Sequence, residues 1–120
     1  MFEDDEKFNS IIHNAKILNL NVNEIKVLYC IHKAGVITQR DIERRADLRQ
    51  PEVSLAIRRL FSMGMLENAP IQNPVKGRPV NCYNLKRPVS EYFASVKKQK
   101  EQEWMMTRLA LDDMSQQFAK

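Results

Sequence analysis

Apolar residues in the first third of the chain recur at helical spacing. One stripe is formed by Phe8, Ile11, Ile12, Ala15 and Leu18. Its steps of three and four predict a first helix with a single apolar face. Residues 21–35 predict a second helix, because Asn21 and Glu24 are spaced as a capping box ahead of an apolar run and Gly35 supplies a stop.

Two short helices are predicted next, joined by a tight turn. Thr38 is placed to cap the first of them, with Ile42 and Ala46 facing inward. The second begins near Pro51, which suits the first helical position, and ends before Gly64. Its apolar face consists of Val53, Ala56, Ile57 and Leu60. Two short helices in this arrangement predict a helix-turn-helix.

Strand patterns then predict a β-hairpin. Residues 65–72 (MLENAPIQ) and residues 80–86 (VNCYNLK) flank the bend NPVKG. The tip carries Lys76, Gly77 and Arg78, and the glycine gives the turn its freedom in φ. The sequence therefore predicts a hairpin with a basic tip.

The last part of the chain predicts one long helix. Ser90 can cap a helix that runs to Phe118, about 42 Å at 1.5 Å per residue. The side chains that suit dimerisation are Phe93, Val96, Trp104, Leu111, Met114 and Phe118. They favour pairing with the same helix of a second copy or with the partner's first helix, and the alternative is a helix that folds back onto its own domain.

Together these elements predict a mainly α fold with a small β-hairpin (α+β). Residues 1–88 form one domain that contains the helix-turn-helix, and residues 89–120 form the C-terminal helix for dimerisation. A chain of 120 residues is long enough for one hydrophobic core.

Positive charge is concentrated in the middle of the chain. Residues 36–88 carry ten Lys/Arg and five Asp/Glu, whereas residues 1–35 have a net charge of −1 and residues 89–120 a net charge of zero. A localised basic surface suits a polyanion such as nucleic acid. On charge alone, a solvated basic face without a partner is the alternative.

The outward positions of the second short helix carry side chains suited to DNA. They are Arg49, Gln50, Glu52, Ser54, Leu55, Arg58 and Arg59. Gln50 and Ser54 suit base contacts, and Leu55 can lie against a thymine methyl group. Arg58 and Arg59 suit phosphates. The alternative is a surface helix with ordinary exposed arginines.

Two other segments are expected to contact DNA. The backbone contacts expected at the start of the first short helix are Thr38, Gln39 and Arg40. In the hairpin tip, Lys76 and Arg78 suit the DNA backbone or a narrow minor groove, where an inserted arginine meets concentrated negative potential.

Other functions have little support in the sequence. The apolar runs are far shorter than the ~20 residues that cross a bilayer, and the acidic start MFEDDEK is unlike a signal peptide. We therefore expect a cytoplasmic protein with no membrane partner. Cys30, Cys82, His13 and His32 lack metal-ligand spacing, so we expect neither metal nor cofactor. No nucleophile motif or phosphate-binding glycine loop indicates an enzyme.

The order of helix, helix-turn-helix and hairpin resembles a known family. The similarity lies in LNLNVNEIKVLYCIHKAGVITQRDIERRADLRQPEVSLAIRRLFSMGMLE and KGRPVNCYNL, and it extends over Asn21 to Lys86. Both segments resemble winged-helix regulators of bacteria and archaea, particularly MarR-like and archaeal TrmB-like DNA-binding domains. The resemblance implies a winged helix-turn-helix that binds specific double-stranded DNA as a homodimer, with Gln50 to Arg59 as recognition helix and Lys76 to Arg78 as wing.

Two points stay open at the level of the sequence. No large C-terminal sensor domain accompanies the resemblance, so regulation by a small-molecule effector is left open and the effector is unknown. The other functional class is a winged-helix module for protein–protein interaction that uses the long C-terminal helix.

Overall fold

Capping side chains define where the main helices begin. The computed structural model describes residues 6–69 and 81–119. At the start of α2 (Val22–Ala34), the Asn21 side-chain oxygen accepts from the Glu24 N–H at 2.8 Å, and the Glu24 carboxylate accepts from the Asn21 N–H at 2.9 Å. The predicted capping box is confirmed. Gly35 ends the helix as predicted, with a φ of +80° that favours glycine.

The first helix, α1 (Glu6–His13), is shorter than its apolar stripe predicts. After α1 the backbone forms tight turns up to Asn19. The N–H groups of Ala15, Ile17, Leu18 and Asn19 bond three residues back instead of four. The Asn14 side chain donates to the Ser10 carbonyl oxygen at 3.1 Å, a local contact that competes with the helical ladder. Ala15 is still buried, so the direction of the stripe is right although the helix ends early.

The predicted helix-turn-helix is confirmed as α3 (Gln39–Ala46) and α4 (Gln50–Ser62). Thr38 caps α3 by accepting from the Asp41 N–H at 3.1 Å. Asp47 adopts a left-handed conformation, with φ at 54°, and turns the chain towards α4. The helix α4 packs against both α2 and α3. The predicted inward side chains are all buried: Ile42, Ala46, Val53, Ala56, Ile57 and Leu60.

The sheet has one strand more than the sequence predicts. The strands β2 (Leu66–Asn68) and β3 (Cys82–Leu85) pair antiparallel as the two sides of the predicted hairpin. The strand β1 (Val36–Thr38) pairs with the other side of β3, which gives the order β1-β3-β2. Three residues are too few to display a period of two, and the pairing joins distant parts of the chain, so β1 has no local signal.

The aromatic side chain of β3 anchors this sheet on the helices. Tyr83 is 6% exposed, and its ring centroid lies 5.8 Å from that of Phe61 in an edge-on arrangement. Burial raises the pKa of the Tyr83 hydroxyl. The sheet is thereby held against the C-terminal part of α4.

The predicted long helix is confirmed as α5 (Val89–Gln117), but the predicted cap is wrong: the helix already begins at Val89, so Ser90 lies in its first turn. The chain divides into two compact units, Met1–Val89 and Ser90–Lys120. Within α5 no residue is buried, and Trp104 is 62% exposed. None of the helices in the described parts of the chain has the length and apolar character to span a membrane.

Truncation of a core side chain of α4 should destabilise the fold strongly. Leu60 is fully buried, so we expect Leu60→Ala to lower the free energy of unfolding by about 2–5 kcal/mol. Leu55 on the same helix is 64% exposed, and Leu55→Ala should change it by less than about 0.5 kcal/mol. Urea unfolding followed by circular dichroism measures both. Equal effects of the two substitutions would contradict this packing of α4.

Candidate nucleic-acid interface

The outward side of α4 is defined by its buried stripe. Because Val53 and Leu60 point into the core, Leu55 and Arg58 lie on the opposite side, where both are exposed. Gln50, in the first turn, is exposed as well. A planar amide, an apolar side chain and a guanidinium are thus presented together on one helix.

One flank of α4 is held by α3. The Gln39 side-chain amide donates to the Ser54 hydroxyl oxygen at 2.9 Å, and the Gln50 amide donates to the same oxygen at 3.3 Å. Ser54 is only half-buried, so these bonds lie at the edge of the helix-turn-helix. They fix the relative position of the two helices and orient the Gln50 side chain.

The other flank of α4 is held by the start of α2. The Glu52 carboxylate accepts from the Arg49 N–H at 3.0 Å, which caps α4, and Asn23 donates to its second oxygen at 3.4 Å. Arg59 donates to the Asn19 carbonyl oxygen at 3.2 Å. These contacts place Glu52 and Arg59 on the side of α4 that faces α2.

Arg59 also reaches a buried acid. Its guanidinium lies 3.8 Å from the carboxylate of Glu24, which is 4% exposed and is itself the capping acid of α2. Each helix therefore contacts the capping acid of the other. Glu24, which caps α2, lies beside Arg59 of α4, and Glu52, which caps α4, accepts from Asn23 of α2. The sequence signal for Glu24 was a normal capping box. Glu52 could not be recognised as a capping acid from the sequence. A capping box needs a side-chain acceptor three residues earlier, and Arg49 has only donors.

Of the residues expected to contact DNA at the start of α3, two make contacts within the fold and one is exposed to solvent. Thr38 caps α3 by accepting from its backbone, and the bond from Gln39 to Ser54 links α3 to α4. Arg40 is exposed. Arg44, also exposed, lies 2.9 Å from Asp41 in an ion pair on the helix surface.

The expected wing residues Lys76, Gly77 and Arg78 lie outside the described residues. The strands that lead towards them remain paired beyond β2, where the Ala69 N–H donates to the Cys82 carbonyl oxygen at 2.8 Å. The antiparallel pairing of the predicted hairpin therefore continues at least to this point.

The described residues were searched for a metal centre and for other features that could bind a ligand. Among them, no group of three or more His, Cys, Asp or Glu side chains could hold a metal ion. Burial raises the pKa of the Cys30 thiol to about 11, so the thiol stays protonated at neutral pH. A pocket of about 430 Å³ has His32, Lys86 and Arg87 in its lining, but no described contact identifies a ligand for it.

Comparison with known proteins gives a match to one family model over part of the chain and a shared fold. Residues 20–72 match the model of the MarR family, which consists of transcriptional regulators and not of enzymes. No match was found among curated protein sequences. A MarR family regulator from Neisseria meningitidis is 22% identical, with a TM-score of 0.54, and the match covers 90% of this chain and 82% of that one.

Two further structures bear on DNA. A mutant MarR from E. coli complexed with operator DNA is 20% identical, with a TM-score of 0.54 and coverage of 82% of this chain and 76% of that one. TrmBL2, an archaeal chromatin protein, is 14% identical, with a TM-score of 0.60 and coverage of 94% and 42%. The winged helix-turn-helix fold and the resemblance to MarR-like and TrmB-like proteins are confirmed.

Adjacent arginines on α4 should differ in their effect on stability. Arg59→Ala removes the partner of the buried Glu24 carboxylate, and we expect the free energy of unfolding to fall by about 1 kcal/mol, since the guanidinium is itself partly exposed. Arg58→Ala should change it by less than about 0.5 kcal/mol. Chemical denaturation of the two variants in parallel tests this. If Arg58→Ala proved the more destabilising, the assignment of Arg59 to the α2 contact would be wrong.

Proposed function

From the match of residues 20–72 to the MarR family model, we propose that this chain is a transcriptional regulator that binds specific double-stranded DNA as a homodimer. The observation that carries the proposal is the exposed set Gln50, Leu55 and Arg58 on the second helix of a helix-turn-helix. The major groove, about 12 Å wide, admits one α-helix, and glutamine can pair with adenine through two hydrogen bonds.

The contacts of α4 suggest separate roles for its polar residues. Gln50 reads a base, Leu55 contacts a thymine methyl group, and Arg58 neutralises a phosphate. Glu52 and Arg59 keep α4 in position against α2, which accounts for an acidic side chain on a helix that approaches phosphates. They act on DNA binding through α4 and not through direct contact.

The remaining DNA contacts come from the flanking segments. Arg40 at the start of α3 is exposed and suits a phosphate, while Thr38 and Gln39 support it by holding α3 in place. Lys76, Gly77 and Arg78 form a basic wing on the adjacent minor groove or backbone.

DNA binding should weaken steeply as salt is raised. We would titrate the protein with a random duplex pool by fluorescence polarisation across a salt series, and sequence the bound fraction. We expect a two-fold symmetric motif and a fall in log affinity of about 0.9 per log unit of salt for each phosphate neutralised. Arg58→Ala and Arg78→Ala should each lower affinity several-fold and reduce the slope by about 1, whereas Arg59→Ala should leave the slope unchanged.

The opposite outcome would favour the second candidate function. A shallow slope with no enriched motif would exclude a sequence-specific regulator and would favour a protein-interaction module. That alternative is supported by the apolar side chains that α5 exposes, since a long helix with such a face requires a protein partner of some kind. In the proposed regulator, this partner is a second copy of the chain.

The exposed face of α5 supports the homodimer. The expected dimerisation residues Phe93, Trp104, Leu111 and Met114 are exposed by 38%, 62%, 51% and 48%, and Phe118 by 86%. Val96 is half-buried. Apolar side chains at steps of three and four form a coiled-coil seam, and covering such a seam removes a continuous stripe of apolar surface from water.

A charge in this seam should abolish the dimer, while a charge beside it should not. Leu111 belongs to the seam, so Leu111→Lys should give a monomer at low micromolar concentration. Leu109 lies outside the seam and is equally exposed, at 55%, so Leu109→Lys is the matched control and should remain dimeric. Sedimentation equilibrium measures both masses. A dimer that tolerates Leu111→Lys would rule out this seam.

A further inference from the structure

The seam of α5 is longer than its apolar residues suggest. A continuous heptad register, with steps of four and three in strict alternation, runs through Phe93, Lys97, Lys100, Trp104, Thr107, Leu111, Met114 and Phe118. In this register Lys97, and not Val96, occupies the seam position. Two lysines therefore lie in adjacent layers of a seam that is otherwise mostly apolar.

A parallel pair of α5 helices would bring these lysines together. In parallel coiled coils each seam residue faces its own copy, so Lys97 would meet the partner's Lys97, and Lys100 would meet the partner's Lys100. Two successive layers of like charge, partly removed from water, would oppose association. Pairing of the N-terminal half of α5 would then be weakened.

An antiparallel pair avoids this repulsion. The heptad has two seam positions, a and d, and in an antiparallel pair each a residue faces a d residue of the partner. For α5 this pairing is symmetric about the peptide bond between Met105 and Met106. The resulting pairs are Phe93 with the partner's Phe118, Lys97 with the partner's Met114, Lys100 with the partner's Leu111, and Trp104 with the partner's Thr107. Every lysine then faces a large apolar side chain.

Lysine tolerates such a position because its stem is apolar and its ammonium can reach the edge of the seam. Lys100 already does this, since its Nζ lies 3.5 Å from the carboxylate of Glu103 in the next turn of α5. Flanking charges also fit, because Arg108 would lie within one helical turn of the partner's Glu101. A parallel pair would likewise oppose Glu103 and the partner's Arg108, so the lysines, and not the flanks, decide the orientation.

We propose that α5 pairs with the α5 of a second copy in antiparallel orientation, along the whole length from Phe93 to Phe118. The proposal rests on the homodimer of the proposed function and specifies its geometry. The N-terminal ends of the two helices, where the DNA-binding units are attached, then lie at opposite ends of the pair, about 50 Å apart at 1.5 Å per residue.

Disulfide trapping distinguishes the two orientations. In the antiparallel pair, residue 118 lies about 37 Å from its own copy and close to residue 93 of the partner. Phe93→Cys and Phe118→Cys alone should therefore not form covalent dimers on mild oxidation, whereas the double variant should. The wild-type chain reports the background from Cys30 and Cys82. A covalent dimer of Phe118→Cys alone would overturn the proposal.

A second measurement leaves the seam intact. Gln117 is exposed and lies beside the seam, so Gln117→Cys can carry a spin label without loss of a seam residue. The antiparallel pair predicts a distance between the two labels of about 35 Å, and the parallel pair a distance below about 20 Å. A short distance, or a wild-type chain that stays monomeric at these concentrations, would overturn the proposal.

A test of DNA binding separates failure of the antiparallel geometry from failure of the proposed function. The duplex selection and salt series can be repeated on the cross-linked double variant and on wild type. A short label distance with an enriched motif would overturn the antiparallel geometry alone. A long distance with no motif and a shallow salt slope would overturn the proposed regulator and leave the antiparallel pair in place.

Discussion

Burial of the apolar stripe of α4 is the constraint on which the candidate site depends. Val53 and Leu60 are fully removed from water between α2 and α3, which fixes the rotation of the helix about its axis. Each outward position follows from this rotation, because side chains on a helix keep fixed angular relations. A protein that shifted this stripe would expose a different set of side chains and lose the arrangement that suits a DNA groove.

Polar contacts on both flanks of α4 add to the apolar core in fixing the position of this helix. Ser54 accepts from amides of both helices of the helix-turn-helix, while Glu52 and Arg59 tie the opposite flank of α4 to α2. Hydrogen bonds are directional and apolar packing is not, so these contacts define the position of α4 more narrowly than burial alone. They also give Glu52, Ser54 and Arg59 partners within the fold.

The helix α5 shows the converse situation. None of its residues is buried in the chain, although several are large and apolar. A helix of 29 residues without a covered face gains little from tertiary packing, which normally provides most helical stability. In the proposed homodimer this stabilisation comes from a second copy, so the dimer would stabilise α5 as well as double the DNA-binding surface.

The sequence by itself determined the helices in outline, the caps of α2 and α3, the helix-turn-helix and the antiparallel strands β2 and β3, because these depend on interactions between residues three or four apart or on strands that follow one another in the chain. The inward faces of α3 and α4 could be read in the same way. Only the tertiary structure decided the pairing of β1 with β3, the early end of α1 and the partners of Glu52, Ser54 and Arg59 within the fold. These contacts join residues that are far apart in the sequence, and no local period records such contacts. A polar residue on an outward helix face can serve either the fold or a ligand, and the difference lies in what stands opposite it in space.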